Sequence, residues 1–282
     1  KLQLFRFTFF KPIIFPMNNP NISVLGFPVD EHSSFLRGPE KAPQKILDAF
    51  YSERTNKFSE NGIDLGSQNL WDNKGLVKLS TGEQGINAIR DSILTELKKG
   101  QRCISLGGDH SITFPIIQAH RRIFQPLNIL HFDAHPDLYE NFADDPFSHA
   151  SPFARILENH LADRLVQVGI RTMNDHLRKQ ASRYNVEVIS MSEFSADLKL
   201  KFDGPVYISI DMDGLDPAFA PGVSHPEPGG LSTREMITVI QNIKGNIIGG
   251  EIVEYNPDRD INDITAATAA KIFKELLGKM LI

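Results

Sequence analysis

Three short segments of this chain carry aspartates and histidines whose types and spacing suit metal ions. The side chains concerned are His110, Asp133, His135, Asp137, Asp211 and Asp213. Asp133, His135 and Asp137 occupy alternate positions, which share one side of an extended segment, and the same spacing separates Asp211 from Asp213. So many neighbouring carboxylates would repel one another unless cations neutralised them. The pattern predicts a pair of divalent metal ions that share bridging carboxylates.

Each segment taken alone also has an ordinary structural interpretation. An isolated Asp-x-Asp at a strand end is most often a turn or a helix cap, and Gly107-Gly108 before Asp109 simply permits a tight turn. The series Asp-x-His-x-Asp after an apolar run is harder to explain in this way. Because all three segments follow apolar runs, their combination favours a metal site over three unrelated turns.

The chemistry of these side chains narrows the choice of metal. Four aspartates and two histidines without a thiolate form a hard, oxygen-rich donor set. Such a set favours Mn²⁺, with Co²⁺, Ni²⁺ or Fe²⁺ as alternatives, over a structural Zn²⁺ ion. Two ions about 3.5–4 Å apart would share a water molecule and lower its pKa, so that hydroxide becomes available near neutral pH. We therefore expect two Mn²⁺ ions per subunit.

Apolar runs alternate with helical patterns along the chain, and these predict the strands and helices that must position the metal-binding side chains. They predict strands at residues 22–26, 102–106, 128–132, 165–169, 186–190, 206–210 and 247–252. Most of these runs are apolar throughout, as expected for strands buried on both faces of a parallel sheet. The alternation predicts an α/β fold of three layers, αβα, with a doubly wound, mostly parallel sheet. Ligands of such sheets bind at the carboxyl ends of the strands, where the three segments lie.

The helical patterns predict three helices, two of them with identifiable ends or caps. Apolar residues along 86–97 share one face of a helix that Gly100 can end. The Ser232–Glu235 pair forms a capping box for a second helix, with Gly245 as its predicted end. An Ala-rich stretch at 264–277 predicts a third helix.

The domain organisation follows from what lies between these elements. No linker or repeat divides residues 17–282, so we expect one catalytic domain there. Residues 1–16 contain basic residues, phenylalanines and two prolines. We expect them to be a non-core N-terminal extension, because they are too short and broken for a membrane span or a signal peptide.

Composition argues against several functional classes. The net charge is −5 and no Lys/Arg cluster occurs, which argues against nucleic-acid binding. No apolar run is long enough to predict a membrane partner. The single cysteine, Cys103, lies in an apolar run and is expected to be a buried thiol rather than part of a disulfide framework. This fits a reducing compartment, and we expect a cytoplasmic protein.

Two more residues are candidates for function. His149 lies a loop's length beyond Asp137, and taken alone it would be an ordinary loop or core histidine. Glu254 follows the last apolar run. A carboxylate that is not needed as a metal ligand is well placed to hold a cationic substrate beside the ions, although a helix-capping or surface acid is the alternative.

Four motifs carry a resemblance to a known family. GGDHS, DAHPD, SIDMDGLDP and EIVEYNP occur in this order, as in the ureohydrolases, the manganese family of arginases and agmatinases. The resemblance covers nearly the whole chain from about Asn21. The stretches DAHPDLY, SHASPFARI and DPAFAPGVSHPEPGGLS are similar to plant-type arginases in particular.

The resemblance implies a role for each candidate residue. One metal would be held by His110, Asp133, Asp137 and Asp211, and the other by Asp133, His135, Asp211 and Asp213. Asp137 would also hydrogen-bond the metal-bridging hydroxide, which attacks the guanidinium carbon. His149 would move a proton, and Glu254 would anchor the guanidinium group. The implied reaction releases urea and an amine.

Two positions differ from animal-type arginases and concern the tail of the substrate. Tyr139 stands where those enzymes carry an asparagine, and Asn174 stands where they carry an aspartate; we count both as candidate substrate-binding residues. We rank L-arginine first as the substrate and agmatine or another guanidino acid second. The family also implies a homo-oligomer, a trimer or hexamer.

Functions of other classes are the alternatives. A non-catalytic, metal-stabilised sensor is disfavoured because every expected side chain is present. A zinc deacetylase on a related fold would need only one ion.

Overall fold

The apolar runs of the sequence form the interior of an eight-stranded sheet in which each pair of neighbours is parallel. The computed structural model describes residues 21–67 and 69–282. Within these residues the strands are β1 Ile22–Gly26, β2 Asp72–Leu76, β3 Arg102–Leu106, β4 Asn128–Phe132, β5 Arg164–Ile170, β6 Glu187–Ser190, β7 Lys201–Asp211 and β8 Lys244–Val253. Their spatial order is β2-β1-β3-β8-β7-β4-β5-β6, so β3, β8, β7 and β4 are central.

Helices cover both faces of this sheet. They are α1 Ala42–Tyr51, α2 Gly82–Lys98, α3 Thr113–Arg121, α4 Pro152–Glu158, α5 Asp175–Arg183, α6 Thr233–Asn242 and α7 Ile264–Met280. The apolar faces of α1, α6 and α7 share one core with the sheet, and those of α2, α3, α4 and α5 share a second core. The predicted three-layer, doubly wound α/β fold is confirmed.

Most of the predicted elements are confirmed, and the differences have physical causes. Strand β2 was not predicted because its sequence, DNKGL, is polar and partly exposed at the sheet edge, where it pairs only with β1. The capping box of Ser232 and Glu235 is present, and Gly100 follows α2 with a φ of 81°. The predicted end of α6 at Gly245 was wrong, because α6 ends at Asn242 and Gly245 already lies in β8.

The predictions for the N-terminal segment fall on undescribed residues. Residues 1–16 lie outside the part of the chain that the structure describes, so the domain boundary at residue 17 stays a prediction. Among the described residues, none of the helices combines the length and apolar character that a bilayer crossing would require.

One buried histidine lies in the core away from the strand ends. His120, in the last turn of α3, is fully buried between the rings of Phe124 and Tyr207. Its Nδ1 donates to the Ile116 carbonyl at 3.0 Å, while Nε2 has no hydrogen-bond partner among the described residues. Burial disfavours the charged ring and lowers the pKa of His120 to about 4.

This pKa predicts a pH dependence of stability. The pKa of His120 in the folded state lies below its unfolded value of about 6.5. The contribution of the neutral ring to the free energy of unfolding is therefore complete above about pH 6.5 and is lost as the pH falls towards 4. The variant His120→Asn keeps a donor for Ile116 but does not titrate. Between pH 7.5 and 5 we expect the wild type to lose about 2 kcal/mol more free energy of unfolding than this variant in urea titrations. Equal losses in the two proteins would contradict the prediction.

Candidate metal centre

The carboxyl ends of the four central strands bring the candidate residues together. His110 begins a 3₁₀ turn and is the fourth residue after β3, and Asp133 directly follows β4. Asp211 is the last residue of β7, and Glu254 directly follows β8. All four residues are buried. Because β3, β8, β7 and β4 are adjacent and parallel, segments far apart in sequence meet at one edge of the sheet.

One group of donor atoms surrounds Nδ1 of His110. This nitrogen lies 3.0 Å from Asp137 Oδ2, 3.2 Å from Asp211 Oδ2 and 3.4 Å from Asp133 Oδ2. Donors that bind one ion at about 2.1 Å and at right angles are about 3 Å apart, so these separations suit a shared cation. The nitrogen is buried and has no hydrogen-bond partner among the described residues. A metal ion would supply the partner that it lacks.

A second group surrounds Nδ1 of His135, which is partly exposed. This nitrogen lies 3.0 Å from Asp213 Oδ2 and 3.4 Å from Asp133 Oδ1. The three side chains have donor atoms close enough to hold one ion. Because the two oxygens of Asp133 face different histidines, this carboxylate connects the two groups. The donor arrangement therefore fits two neighbouring cations.

The pKa values of two of the aspartates, Asp137 and Asp211, also indicate that positive charge would be favourable here. Burial, with repulsion from Asp133, raises the pKa of Asp137 to about 6. Burial, with repulsion from Asp213 and Asp133, raises the pKa of Asp211 well above its usual range. A raised carboxyl pKa means that the negative form is unfavourable where it stands. Bound cations would stabilise the ionised carboxylates.

The backbone brings the aspartates together in a different way from the extended segment that we predicted. The chain bends after Asp133, and Asp137 has a φ of 49°, in the left-handed region. Asp213 lies within the 3₁₀ turn Met212–Gly214 rather than in a strand. The alternate spacing was a correct indication of proximity, but its assumed cause was wrong, because turns and not strand pleating direct these side chains.

The Gly-Gly motif has a packing function. A Cβ atom at Gly108 would lie 1.6 Å from the carbonyl oxygen of Val29. The neighbouring Asp109 amide donates to that same oxygen at 2.8 Å. The loop after β1 therefore packs directly on the loop that carries His110, and only glycine allows this approach.

The loop after β1 also contributes a polar partner for His149. His149 Nδ1 donates to Glu254 Oε1 at 2.9 Å, and its Nε2 lies 2.8 Å from Ser34 Oγ and 3.1 Å from the Ser34 amide. Glu254 has a φ of 62° and its Oε1 also accepts from the His110 amide. Burial lowers the pKa of His149, but the Glu254 carboxylate outweighs burial and raises the pKa to about 9. Sequence reasoning missed Ser34, because only the folded chain brings it to His149.

A cavity of about 220 Å³ opens onto both donor groups. Its wall includes Tyr139, His149, His225 and Glu254. Asn174 is not among the lining residues, because its Oδ1 caps α5 and its Nδ2 donates to the Tyr139 hydroxyl at 2.8 Å. The structure therefore places Tyr139 at the cavity and Asn174 behind it.

Another residue that sequence reasoning missed is His131. It is fully buried in β4, and its Nε2 donates to Asp133 Oδ2 at 2.7 Å. Gln167 Nε2 donates to His131 Nδ1 at 3.0 Å and to the Pro136 carbonyl at 2.7 Å. These bonds orient Asp133 and hold the loop that follows it. A polar residue inside an apolar strand was the available signal.

Comparisons with known proteins agree with this architecture. A family model described as the arginase family matches residues 20–278. A mitochondrial arginase of Medicago truncatula is 45% identical over 276 residues, which cover 92% of this chain and 81% of that protein. An N(1)-aminopropylagmatine ureohydrolase of Thermus thermophilus is 34% identical, covering 93% and 91% of the two chains. The solved arginase from Medicago truncatula has a TM-score of 0.88 at 44% identity and covers 92% of this chain and 87% of that one.

The fold, the buried histidine–aspartate cluster and these similarities together define a ureohydrolase, a metal-dependent enzyme. Within that class, the chain belongs to the arginase family.

Removal of His135 tests the two donor groups. The variant His135→Ala lacks the nitrogen of the second group but keeps every donor around His110. After chelation and reloading with Mn²⁺, we expect elemental analysis to find one ion per subunit in the variant and two in the wild type. The matched control is His225→Ala, whose ring lies 6.1 Å from that of His135 but belongs to neither group. Two ions in His135→Ala would contradict the assignment.

Proposed function

We propose that this protein is an arginase that uses two Mn²⁺ ions to hydrolyse L-arginine to L-ornithine and urea. The observation that carries the proposal is the position of Glu254. This carboxylate lines the same cavity as the two donor groups that share Asp133. Its Oε2 has no hydrogen-bond partner among the described residues and is available to a guanidinium group.

The residues proposed to hold the ions are divided between two sites that share carboxylates. The first site comprises His110, Asp133, Asp137 and Asp211, and the second comprises Asp133, His135, Asp211 and Asp213. An oxygen-rich set without thiolates supports Mn²⁺. When bound, such a pair lowers the pKa of water, so that hydroxide is available near neutral pH.

Glu254 would bind and orient the substrate. Its Oε1 accepts hydrogen bonds from the His110 amide and from His149 Nδ1. These two bonds fix the orientation of the side chain and leave Oε2 for the substrate. A carboxylate and a guanidinium form strong, charge-assisted hydrogen bonds. The guanidinium carbon is thereby held at the aspartate cluster, which is the positioning that an attack on this carbon requires.

His149 would move the proton that the leaving amine needs. Its Nδ1 proton is engaged by Glu254, so Nε2 is the atom that gains and releases a proton. The Ser34 amide donates to this nitrogen in the neutral ring, and Ser34 Oγ can donate to the neutral ring or accept from the charged one. Since both forms have a partner, His149 can act as a general acid–base group. Asp137 would in turn accept the hydrogen bond of the attacking oxygen.

Tyr139 supports L-arginine as the substrate. Asn174 donates its amide proton to the Tyr139 oxygen, so the phenol proton remains available for a substrate carboxylate. In this assignment Tyr139 contacts the tail of the substrate and Asn174 orients Tyr139.

Agmatine is the second candidate, and a different observation favours it. No lysine or arginine is among the described residues that line the cavity. A substrate carboxylate would therefore have to be bound by neutral donors alone. Agmatine lacks that carboxylate and would enter an acidic cavity without this cost.

Urea release from a panel of substrates tests the function. L-Arginine, agmatine and guanidinobutyrate are compared with the Mn²⁺-loaded enzyme. We expect the highest kcat/KM with L-arginine. Urea from agmatine alone would replace the arginase assignment with that of an agmatinase, and no urea from any of the three would contradict both.

A second variant separates tail recognition from chemistry. In Tyr139→Phe the phenol proton is lost, and we expect kcat/KM for L-arginine to fall about tenfold, since a hydrogen bond to a charged group contributes about 1.5 kcal/mol or more. Hydrolysis of agmatine should change little. The control Glu254→Gln should lose activity on both substrates because both carry the guanidinium group. An equal loss on both substrates in Tyr139→Phe would contradict its assignment to the tail.

Location and assembly remain proposals. The Medicago truncatula relative is named mitochondrial, whereas our sequence-based expectation is a cytoplasmic protein. The expected trimer or hexamer also stays a prediction.

A further inference from the structure

A fully buried carboxylate lies beside the metal centre and has no part in the proposed chemistry. Glu251, on β8, is completely inaccessible to solvent. Its Oε1 accepts from the hydroxyls of Ser209 and Thr113, each at 2.6 Å, and its Oε2 accepts from Tyr207 at 3.0 Å. The three hydroxyl donors compensate the carboxylate for the loss of water, because an unpaired charge would be very unfavourable at this depth.

The Ser209 hydroxyl connects this carboxylate to His110. Ser209 Oγ lies 3.0 Å from His110 Nε2. A serine hydroxyl has one proton, and the 2.6 Å contact with Glu251 uses it. Ser209 Oγ can therefore only accept from His110, which requires the proton of the imidazole to be on Nε2.

The position of that proton decides what the other nitrogen can do. Nδ1 of His110 faces Asp137, Asp211 and Asp133 and has no hydrogen-bond partner among the described residues. A histidine binds a metal ion through an unprotonated nitrogen, so a neutral ring with its proton on Nε2 is the form that is ready to bind.

We propose that Glu251 is a positioning residue that, through Ser209, keeps the His110 proton on Nε2 and leaves Nδ1 for a metal ion. This role rests on the proposed metal-dependent function. Without the Glu251 charge, the Ser209 hydroxyl is free to turn towards Nε2, and the tautomer with its proton on Nδ1, which cannot bind the ion, gains population.

Manganese binding to the chelator-treated full chain tests the role directly. In Glu251→Gln we expect the Kd for Mn²⁺ to rise about ten- to a hundredfold in calorimetric titrations, the usual effect of removing an outer partner of a metal-binding histidine. In Ser209→Ala the same rise is expected. Because Glu251 acts through Ser209, the double variant should bind no more weakly than Ser209→Ala alone.

A matched control separates this role from the general effect of losing a buried charge. Glu275, on α7, is also buried and accepts from the Glu60 amide, Gln241 and Lys271. The variant Glu275→Gln should lower the melting temperature but leave the Mn²⁺ affinity unchanged. Nitrogen-15 NMR of the metal-free proteins reports the tautomer itself, and the signal of a protonated His110 Nδ1 should grow in Glu251→Gln and in Ser209→Ala but not in the control.

The outcomes are distinct. Unchanged Mn²⁺ affinity in Glu251→Gln, or effects of Glu251→Gln and Ser209→Ala that simply add, would overturn the positioning role while the wild type still binds metal and releases urea. A wild type that binds no Mn²⁺ would overturn the proposed function and this role with it. If Glu251→Gln does not fold, Ser209→Ala decides alone: an unchanged affinity and tautomer overturn the role.

Discussion

Crowding of buried carboxylates at one edge of a parallel sheet is the constraint on which the rest of this structure depends. Four aspartates, Asp133, Asp137, Asp211 and Asp213, meet there with little access to solvent. Carboxylates at this depth are unfavourable unless cations and hydrogen bonds compensate them. The raised pKa of Asp137 and Asp211 is the direct expression of that cost. The site is therefore arranged to receive positive charge.

Two sets of residues prepare this site for positive charge. The end of β7 and the segments that follow β3, β4 and β7 hold the donor atoms at separations that suit shared ions. Behind them, His131 orients Asp133, and Ser209 links His110 to the buried Glu251. A metal site is specific only when its ligands are held in one orientation, which is the contribution of such outer partners.

In the proposed function, the choice of substrate depends on a different part of the molecule. Under this proposal Glu254 and His149 would act on the guanidinium end of the substrate, and both are held by backbone and side-chain hydrogen bonds. Other parts of the cavity wall come from loops, including the one that bears Tyr139. Loops can change without disturbing the strands that position the aspartate cluster. This separation agrees with the different activities named for relatives that share most of this chain's length.

The sequence by itself determined the fold class, all but one of the strands and the side chains that meet at the centre. Those features are local: apolar runs identify buried strands, and residue types identify donors. The edge strand β2 was not predicted, because an exposed, polar strand has no apolar run. Only the tertiary structure decided that Asp137 reaches the site through a left-handed turn. It also decided that Asn174 stands behind Tyr139, and that Ser34 and Glu251 adjoin catalytic and metal-binding candidates. These contacts join residues far apart in the chain, and no local spacing contains them.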